Sequence, residues 1–183
     1  MRLFAALPLP DAPRAHLATA VASLERLHWP VKWVGREQYH LTLKFYGDVE
    51  PERLDAIAGM LAGAARNVPP LDLALDGLGA FPTPQRARVV WAGLIGPPEL
   101  ELLQDRVERG SEALGFPLEG KAFRPHVTLG RVRERERLPA GAADRLESVR
   151  VAGAFLAESM VLFESILTPR GPQYTARHTI RLS

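Results

Sequence analysis

The chain has 183 residues, contains no cysteine and carries a formal net charge of +2. The lack of cysteine excludes disulfides, thiolate zinc sites, iron–sulfur clusters and a cysteine nucleophile. There is no apolar run of about 18 residues and no signal-peptide pattern, so we expect a cytoplasmic protein without a membrane segment. Twenty of the 23 basic residues are arginines. The arginine fork matches phosphate oxygens in pairs, which fits phosphate-bearing partners without requiring them.

Periodicity of the apolar residues predicts alternating strands and helices along the whole chain. The predicted strands cover residues 2–9, 32–35, 39–49, 71–81, 87–95, 126–132, 158–167 and 174–183. The predicted helices cover residues 12–27, 50–66 and 97–115, with Pro51 in the first turn of the second and Gly115 closing the third. Residues 168–173 form the turn of a closing hairpin.

The order of these elements repeats, and no linker separates the two copies. We therefore predict an α+β fold in one domain, residues 1–183, built as a duplicated bilobal unit. Two antiparallel sheets would face each other across a central cleft, with the helices on the outside. Such a duplication brings equivalent points of the two lobes to the same cleft.

A short motif occurs twice, as "YHLTLKFYGDV" at residues 39–49 and as "PHVTLGRV" at residues 125–132. With five histidines and seven threonines in the chain, chance would rarely supply two His-x-Thr-Leu sequences that both lie on predicted strands. Side chains alternate between the two faces of a strand. His40, Thr42 and Lys44 should therefore share the cleft face, while Leu41, Leu43 and Phe45 face the core.

The second copy should present His126 and Thr128 to the same cleft, with Gly130 giving room. Histidine has an unperturbed pKa of roughly 6.5, so one imidazole can accept a proton while another donates one. Threonine hydroxyls two residues along can stabilise phosphate oxygens in a transition state. The pair of motifs thus indicates in-line substitution at phosphorus without a metal, although its symmetry does not assign the two proton-transfer roles.

Four neighbouring residues are candidates for substrate binding. Lys44 shares the predicted His40 face, and Arg124 shares the His126 face if that strand begins early. Arg131 reaches the cleft only if its strand bulges or twists after Gly130. Phe45 flanks the first motif and could stack on a base.

The stretches "HLTLKFYGDV" and "RPHVTLGRV", with the opening "RLFAALPLP", closely resemble the 2H phosphoesterase superfamily. Within it, the chain is similar to the bacterial and archaeal RNA 2′,3′-cyclic phosphodiesterases, also called 2′-5′ RNA ligase-like proteins. The resemblance implies metal-free hydrolysis of a terminal 2′,3′-cyclic phosphate to a 2′-phosphate. It also implies that His40 is the proton donor and His126 the proton acceptor.

Two other interpretations stay open at this point. The same cleft could serve a non-catalytic RNA-end binding protein. A metal site on the two histidines is also conceivable, but zinc generally needs a third protein ligand and neither motif supplies one. We therefore expect no metal and no cofactor, RNA with a 2′,3′-cyclic phosphate end as the partner, and a monomer. The physiological RNA and the importance of reverse 2′-5′ ligation are left open.

Overall fold

A computed structural model describes all 183 residues. It contains nine strands and four helices. The strands are β1 (Arg2–Pro8), β2 (Val31–Trp33), β3 (His40–Asp48), β4 (Leu71–Phe81), β5 (Val89–Ile95), β6 (His126–Val132), β7 (Ala154–Ala157), β8 (Ser159–Thr168) and β9 (Gly171–Arg181). The helices are α1 (Asp11–Glu25), α2 (Leu54–Ala64), α3 (Pro98–Ala113) and α4 (Ala142–Ser148). None of the helices has both the length and the apolar character needed to span a membrane.

Every predicted strand and helix is present, with ends that differ by a few residues. The helix expected from residue 50 begins as a 3-10 turn over Pro51–Arg53 before α2. The sequence did not predict α4 and β7. The helix α4 has seven residues, of which only Ala142 and Leu146 are buried, so its apolar period is too short to recognise.

All strands join one antiparallel sheet in the order β7-β4-β5-β6-β3-β1-β8-β9, with β2 paired to β6. The α+β class is therefore confirmed. The two sheets that we expected are two halves of this single sheet, β9-β8-β1-β3 and β6-β5-β4-β7. Between the halves, β3 and β6 pair only at Leu41 and Val127. Beyond that pair the two strands diverge, which opens a cleft.

The two halves repeat the same connection. In each half a central strand is followed by a helix and then by the strand at the junction: β1, α1 and β3 in the first, with β2 between α1 and β3, and β5, α3 and β6 in the second. Each junction strand begins with the histidine of a motif, His40 or His126. This topology is compatible with the duplication that the motifs indicated. That the chain forms one domain of two lobes stays a prediction.

The core lies between the sheet and the helices. The helix α3 buries a stripe that includes Leu100, Leu103 and Val107, and it packs against α2 and β3. Leu41 and Val127 are also fully buried in this core. Because alternate residues point to opposite faces, the histidines beside them lie on the cleft face.

A β-bulge follows the His-x-Thr sequence in each half. In β3, Ala6 pairs with Thr42 and Ala5 with Lys44, so Leu43 is the extra residue. In β6, Trp91 pairs with Thr128 and Val90 with Gly130, so Leu129 is the extra residue. A bulge reverses the alternation of the residues that follow it.

The first bulge makes part of our assignment of faces wrong. Lys44 is only 7% exposed and points to the helix side, whereas Phe45 is 61% exposed on the cleft face. The second bulge turns the exposed Arg131 to the face of His126, the condition under which we expected it to reach the cleft. Gly130 does leave space, but β2 rather than the cleft occupies that space. A Cβ at Gly130 would lie 2.5 Å from the side chain of Val31.

The β8–β9 hairpin bends back over the cleft face. Ser165 pairs with Arg2, which pairs with Asp48, so a flat sheet would place the hairpin end near Asp48. Asp48 and Gln38 are ten residues apart, which is about 33 Å along an extended strand. The Gln38 side chain nevertheless donates a hydrogen bond to the Pro172 carbonyl. The distal part of the hairpin therefore covers the cleft beside His40.

The second half of the sheet depends on one close approach between neighbouring strands. The Trp91 ring lies flat against Gly79, where a Cβ would be 2.3 Å from the ring. We expect Gly79→Ala to lower the free energy of unfolding by about 1–3 kcal/mol, because the indole must leave its place. Chemical denaturation measures the change.

The matched control is Gly59→Ala in the middle of α2, where a Cβ meets nothing within 4 Å. That substitution should stabilise the protein by about 0.5–1 kcal/mol, because alanine is the better helix former. Equal effects of the two substitutions would contradict this account of Gly79.

Candidate active site

One cavity of about 1250 Å³ lies on the cleft face at the junction of the two half-sheets. It is lined by all eight residues that the sequence singled out: His40, Thr42, Lys44, Phe45, Arg124, His126, Thr128 and Arg131. The structure thus brings the two motifs and their neighbours to one place. The individual roles of these residues stay predictions.

The His40 ring is oriented by a hydrogen bond to the backbone just before its strand. Nδ1 lies 2.7 Å from the carbonyl oxygen of Gln38, and since a carbonyl only accepts, Nδ1 carries a proton and donates it. In the neutral ring Nε2 is then the free base. It lies 2.9 Å from Oγ1 of Thr42, which can donate to it. The ring is therefore fixed in one tautomer with Nε2 toward the cavity.

His126 is held in the same way. Its Nδ1 lies 2.7 Å from the carbonyl oxygen of Arg124, again two residues upstream. This bond fixes the same tautomer and leaves Nε2 as the reactive nitrogen. Thr128 lies two residues along the strand, as Thr42 does from His40. The two motifs therefore share the hydrogen bond that orients each imidazole.

The Leu41–Val127 pair sets the distance between the two histidines. Continuing this antiparallel register places His40 beside Thr128 and His126 beside Thr42. The two histidines are thus diagonal neighbours on adjacent strands, which are usually roughly 7–8 Å apart. Both imidazoles therefore face the same cavity from adjacent strands.

Aromatic rings surround both histidines. His40 contacts Phe4 at 4.8 Å between ring centroids and the edge of Tyr174 at 5.4 Å. His126 meets Phe81 edge-on at 5.0 Å. The Arg124 guanidinium lies 5.9 Å from the centre of the same Phe81 ring. These rings limit the access of water to the imidazoles and restrict their rotation.

Both imidazoles have a lowered pKa in the free protein. Burial is the main cause for His40, opposed by the bond to Gln38. The charges of His126, when protonated, and of Arg131 and Arg14 lower the pKa further, to about 4. Burial and the Arg131 charge likewise lower the pKa of His126, opposed by its bond to Arg124. At neutral pH both rings are therefore uncharged before a ligand binds.

The cavity carries the basic excess of the whole chain. Its lining has six cationic and three acidic side chains, an excess of three, whereas the entire protein carries +2. Arg131 is the central charge, because it acts on His40, His126 and Tyr174 at once. The electrostatic field of the cavity thus favours an anion between the two histidines.

Lys44 is the exception among the predicted ligand contacts. Its Nζ donates to Oε2 of Glu108 at 2.9 Å and to the Pro117 carbonyl at 2.6 Å, and both charged side chains are almost fully buried. Glu108 also accepts from the backbone N–H of Glu119 at 3.0 Å. The expectation that Lys44 meets phosphate conflicts with this geometry, since its ammonium is engaged on the α3 side. It ties β3 to the loop that leads to His126.

The sequence did not single out several residues of this site. Gln38 supplies the carbonyl that orients His40 and also holds the β8–β9 hairpin through its side chain. Tyr174 comes from that hairpin, which we had predicted only as a closing element. The sequence carries no local signal for either residue, because both depend on the bend of the hairpin. No three His, Cys, Asp or Glu side chains are grouped as a metal site would require.

Comparison with known proteins agrees with this geometry. The family model described as "LigT like Phosphoesterase" matches residues 7–91 and 95–174. The chain belongs to the LigT-like phosphoesterase family. The resemblance to 2H phosphoesterases that the motifs indicated is thereby confirmed.

Relatives in this family match over the full length. The RNA 2′,3′-cyclic phosphodiesterase of Methanothermobacter thermautotrophicus is 35% identical, over 100% of this chain and 99% of its own length. The crystal structure of TT0787, a protein of Thermus thermophilus, superposes with a TM-score of 0.82 at 31% identity, over 100% of this chain and 98% of that one. E. coli LigT in complex with 3′-AMP gives a TM-score of 0.77 at 27% identity, with the same coverage.

The electrostatic role of Arg131 in this LigT-like site can be tested directly. Arg131→Gln removes a positive charge that lowers the pKa of both imidazoles, so both pKa values should rise toward the ordinary histidine value. NMR titration of the ring nitrogens measures the change.

Arg133→Gln is the matched control. Arg133 lies two residues further along and is exposed, and its charge does not act on either imidazole. A pKa of His40 that falls or stays constant in Arg131→Gln would show that Arg131 does not face the histidines.

Proposed function

We propose that this chain is an RNA 2′,3′-cyclic phosphodiesterase that hydrolyses the terminal cyclic phosphate of RNA to a 2′-phosphomonoester. The observation that carries the proposal is the matched pair of imidazoles, each fixed in the same tautomer and facing one basic cavity. The name of the archaeal relative supports the substrate. The 3′-AMP complex of E. coli LigT supports a nucleotide as the ligand.

In the proposed reaction, Nε2 of His126 accepts a proton from water while the water oxygen forms a bond to phosphorus. The bond from phosphorus to the ribose 3′ oxygen breaks, and Nε2 of His40 gives its proton to that oxygen. The phosphate remains on the 2′ oxygen. One water molecule is consumed, and proton exchange with solvent restores both imidazoles.

Hydroxyl and guanidinium groups would stabilise the charge that develops on the non-bridging oxygens. Thr42 can donate to such an oxygen once it turns away from Nε2 of His40, and Thr128 is its counterpart in the second half. Arg131 and Arg124 supply charge-assisted hydrogen bonds from the second half-sheet. Donors that are fixed before the reaction cost no reorganisation during it, which is the basis of this kind of stabilisation.

The donor histidine must gain its proton when the substrate binds. Burial and neighbouring cations keep His40 neutral in the free protein, with a pKa of about 4. A phosphodiester anion between the histidines offsets those cations and therefore raises the pKa. By linkage, anion binding is accompanied by proton uptake between these two pKa values. Binding therefore becomes tighter as the pH falls through the pKa of the complex toward that of the free protein.

Phe45 gives the terminal base a surface on which to stack. Its ring is 61% exposed and lines the same cavity as Phe123 and Arg124. Base–aromatic stacking tolerates any base, so this contact fits an enzyme that acts on RNA ends of varied sequence.

One chain carries both histidines, and we propose that it acts as a monomer in the cytoplasm. Reverse 2′-5′ ligation would use the same groups.

The proposal predicts that His40→Ala and His126→Ala each lower kcat/KM for an RNA ending in a 2′,3′-cyclic phosphate by about 10²- to 10⁴-fold. This is the usual effect of removing a general acid or base. The fold should remain intact, which circular dichroism checks.

Wild-type activity should persist in excess EDTA, because the two imidazoles perform both proton transfers.

His178→Ala is the control, because His178 is partly exposed on β9 and lies outside the cavity. It should keep wild-type activity. If either cavity variant stays within about threefold of wild type, that histidine is not catalytic. A wild type that binds RNA ends without any turnover would instead show a binding protein.

A further inference from the structure

The proposed reaction fixes the direction of the RNA strand in the cavity, and this inference rests on it. In an in-line displacement the entering water and the leaving oxygen lie on opposite sides of phosphorus. The leaving 3′ oxygen is therefore on the His40 side. In ribose, C4′ and the 5′ phosphate continue from C3′, whereas the base is attached at C1′, next to C2′. The 3′ oxygen is axial in this displacement and the 2′ oxygen is equatorial. The C3′ side of the ribose, with the upstream strand, is therefore nearer to His40 than the C2′ side with the base.

The register of β3 and β6 at Leu41 and Val127 shows in which direction along the cavity the RNA strand would run. His126 lies beside Thr42, and His40 lies two residues nearer to Gln38. The line from His126 to His40 therefore runs toward the Gln38 end of β3 and away from Phe45. The base then falls at the Phe45 end, where the stacking surface is, and the 5′ phosphate falls at the Gln38 end.

The tip of the β8–β9 hairpin covers that Gln38 end. Gln38 holds it through the Pro172 carbonyl, and Thr168 closes the turn with a 2.7 Å bond to the Gly171 carbonyl. Arg170 lies in this turn, lines the cavity and is exposed, and its guanidinium has no ion-pair partner in the protein. Leu167, which pairs with Pro172 across the hairpin, is 72% exposed.

We infer that the hairpin tip is a binding site for the phosphodiester on the 5′ side of the terminal nucleotide, with Arg170 as its phosphate contact. Arginine is suited to this role because its paired donors match two phosphate oxygens. Through this phosphate contact, the hairpin tip holds the RNA strand in the orientation that places the 3′ oxygen at His40. The enzyme would thus prefer RNA ends with an upstream phosphate over cyclic mononucleotides.

The test compares two substrates that differ only in that phosphate: adenosine 2′,3′-cyclic phosphate and its 5′-phosphorylated form. Arg170→Ala should lower kcat/KM for the 5′-phosphorylated substrate by about tenfold to a hundredfold, the usual effect of losing a charge-assisted contact. Turnover of the unphosphorylated substrate should stay within about twofold. Arg170→Lys, which keeps the charge, should recover part of the loss.

Two control variants separate this contact from general charge effects. Arg177→Ala removes an arginine from the same hairpin outside the cavity. Lys121→Ala removes a cavity cation from the loop before His126, which Lys44 of β3 contacts at Pro117. Neither should discriminate between the substrates. If Lys121→Ala discriminates instead, or if Arg170→Ala affects both substrates equally or not at all, the proposed direction of the strand is wrong. Failure of wild type to hydrolyse either substrate would overturn the proposed function, and this inference with it.

Discussion

The pairing of Leu41 with Val127 is the constraint on which the site depends. It joins the two half-sheets at a single point, with both side chains in the core and the neighbouring histidines on the other face. Because β3 and β6 separate beyond this pair, the same contact that fixes the histidines also opens the cavity. A longer ladder between the two strands would have filled the space that a phosphate needs. A missing pair would have left the two imidazoles without a defined separation.

The two bulges decide what each half contributes beyond its imidazole and hydroxyl. After Leu43 the chain presents Phe45 to the cavity, and after Leu129 it presents Arg131. The His-x-Thr groups therefore occur in both halves, while the residues that follow them in the cavity differ. Because of this difference, the two sides of the cavity are not equivalent, although the two halves have a similar topology. In the proposed reaction, this difference lets an asymmetric nucleotide bind in one orientation between the two imidazoles.

The sequence was sufficient for eight of the nine strands, three of the four helices, the fold class and the pair of histidines, since each depends on local periodicity or on a repeated motif. Strict alternation along the strand placed Lys44 on the cleft face and Phe45 in the core, and the bulge at Leu43 reverses both. A bulge is set by pairing with a neighbouring strand, so the strand's own sequence does not reveal it. The Lys44–Glu108 ion pair and the Gln38–Pro172 bond join residues that are 64 and 134 positions apart. Such contacts arise from the closed fold, and short-range patterns do not contain them.

The central claim is that His40 and His126 act from opposite sides of one cyclic phosphate, with His40 at the leaving 3′ oxygen. The identity of the product tests it most directly. Phosphorus NMR after incubation with a short RNA ending in a 2′,3′-cyclic phosphate distinguishes a 2′-phosphate from a 3′-phosphate. The proposed arrangement predicts the 2′-phosphate as the only product. A 3′-phosphate, or a mixture of both isomers, would contradict it.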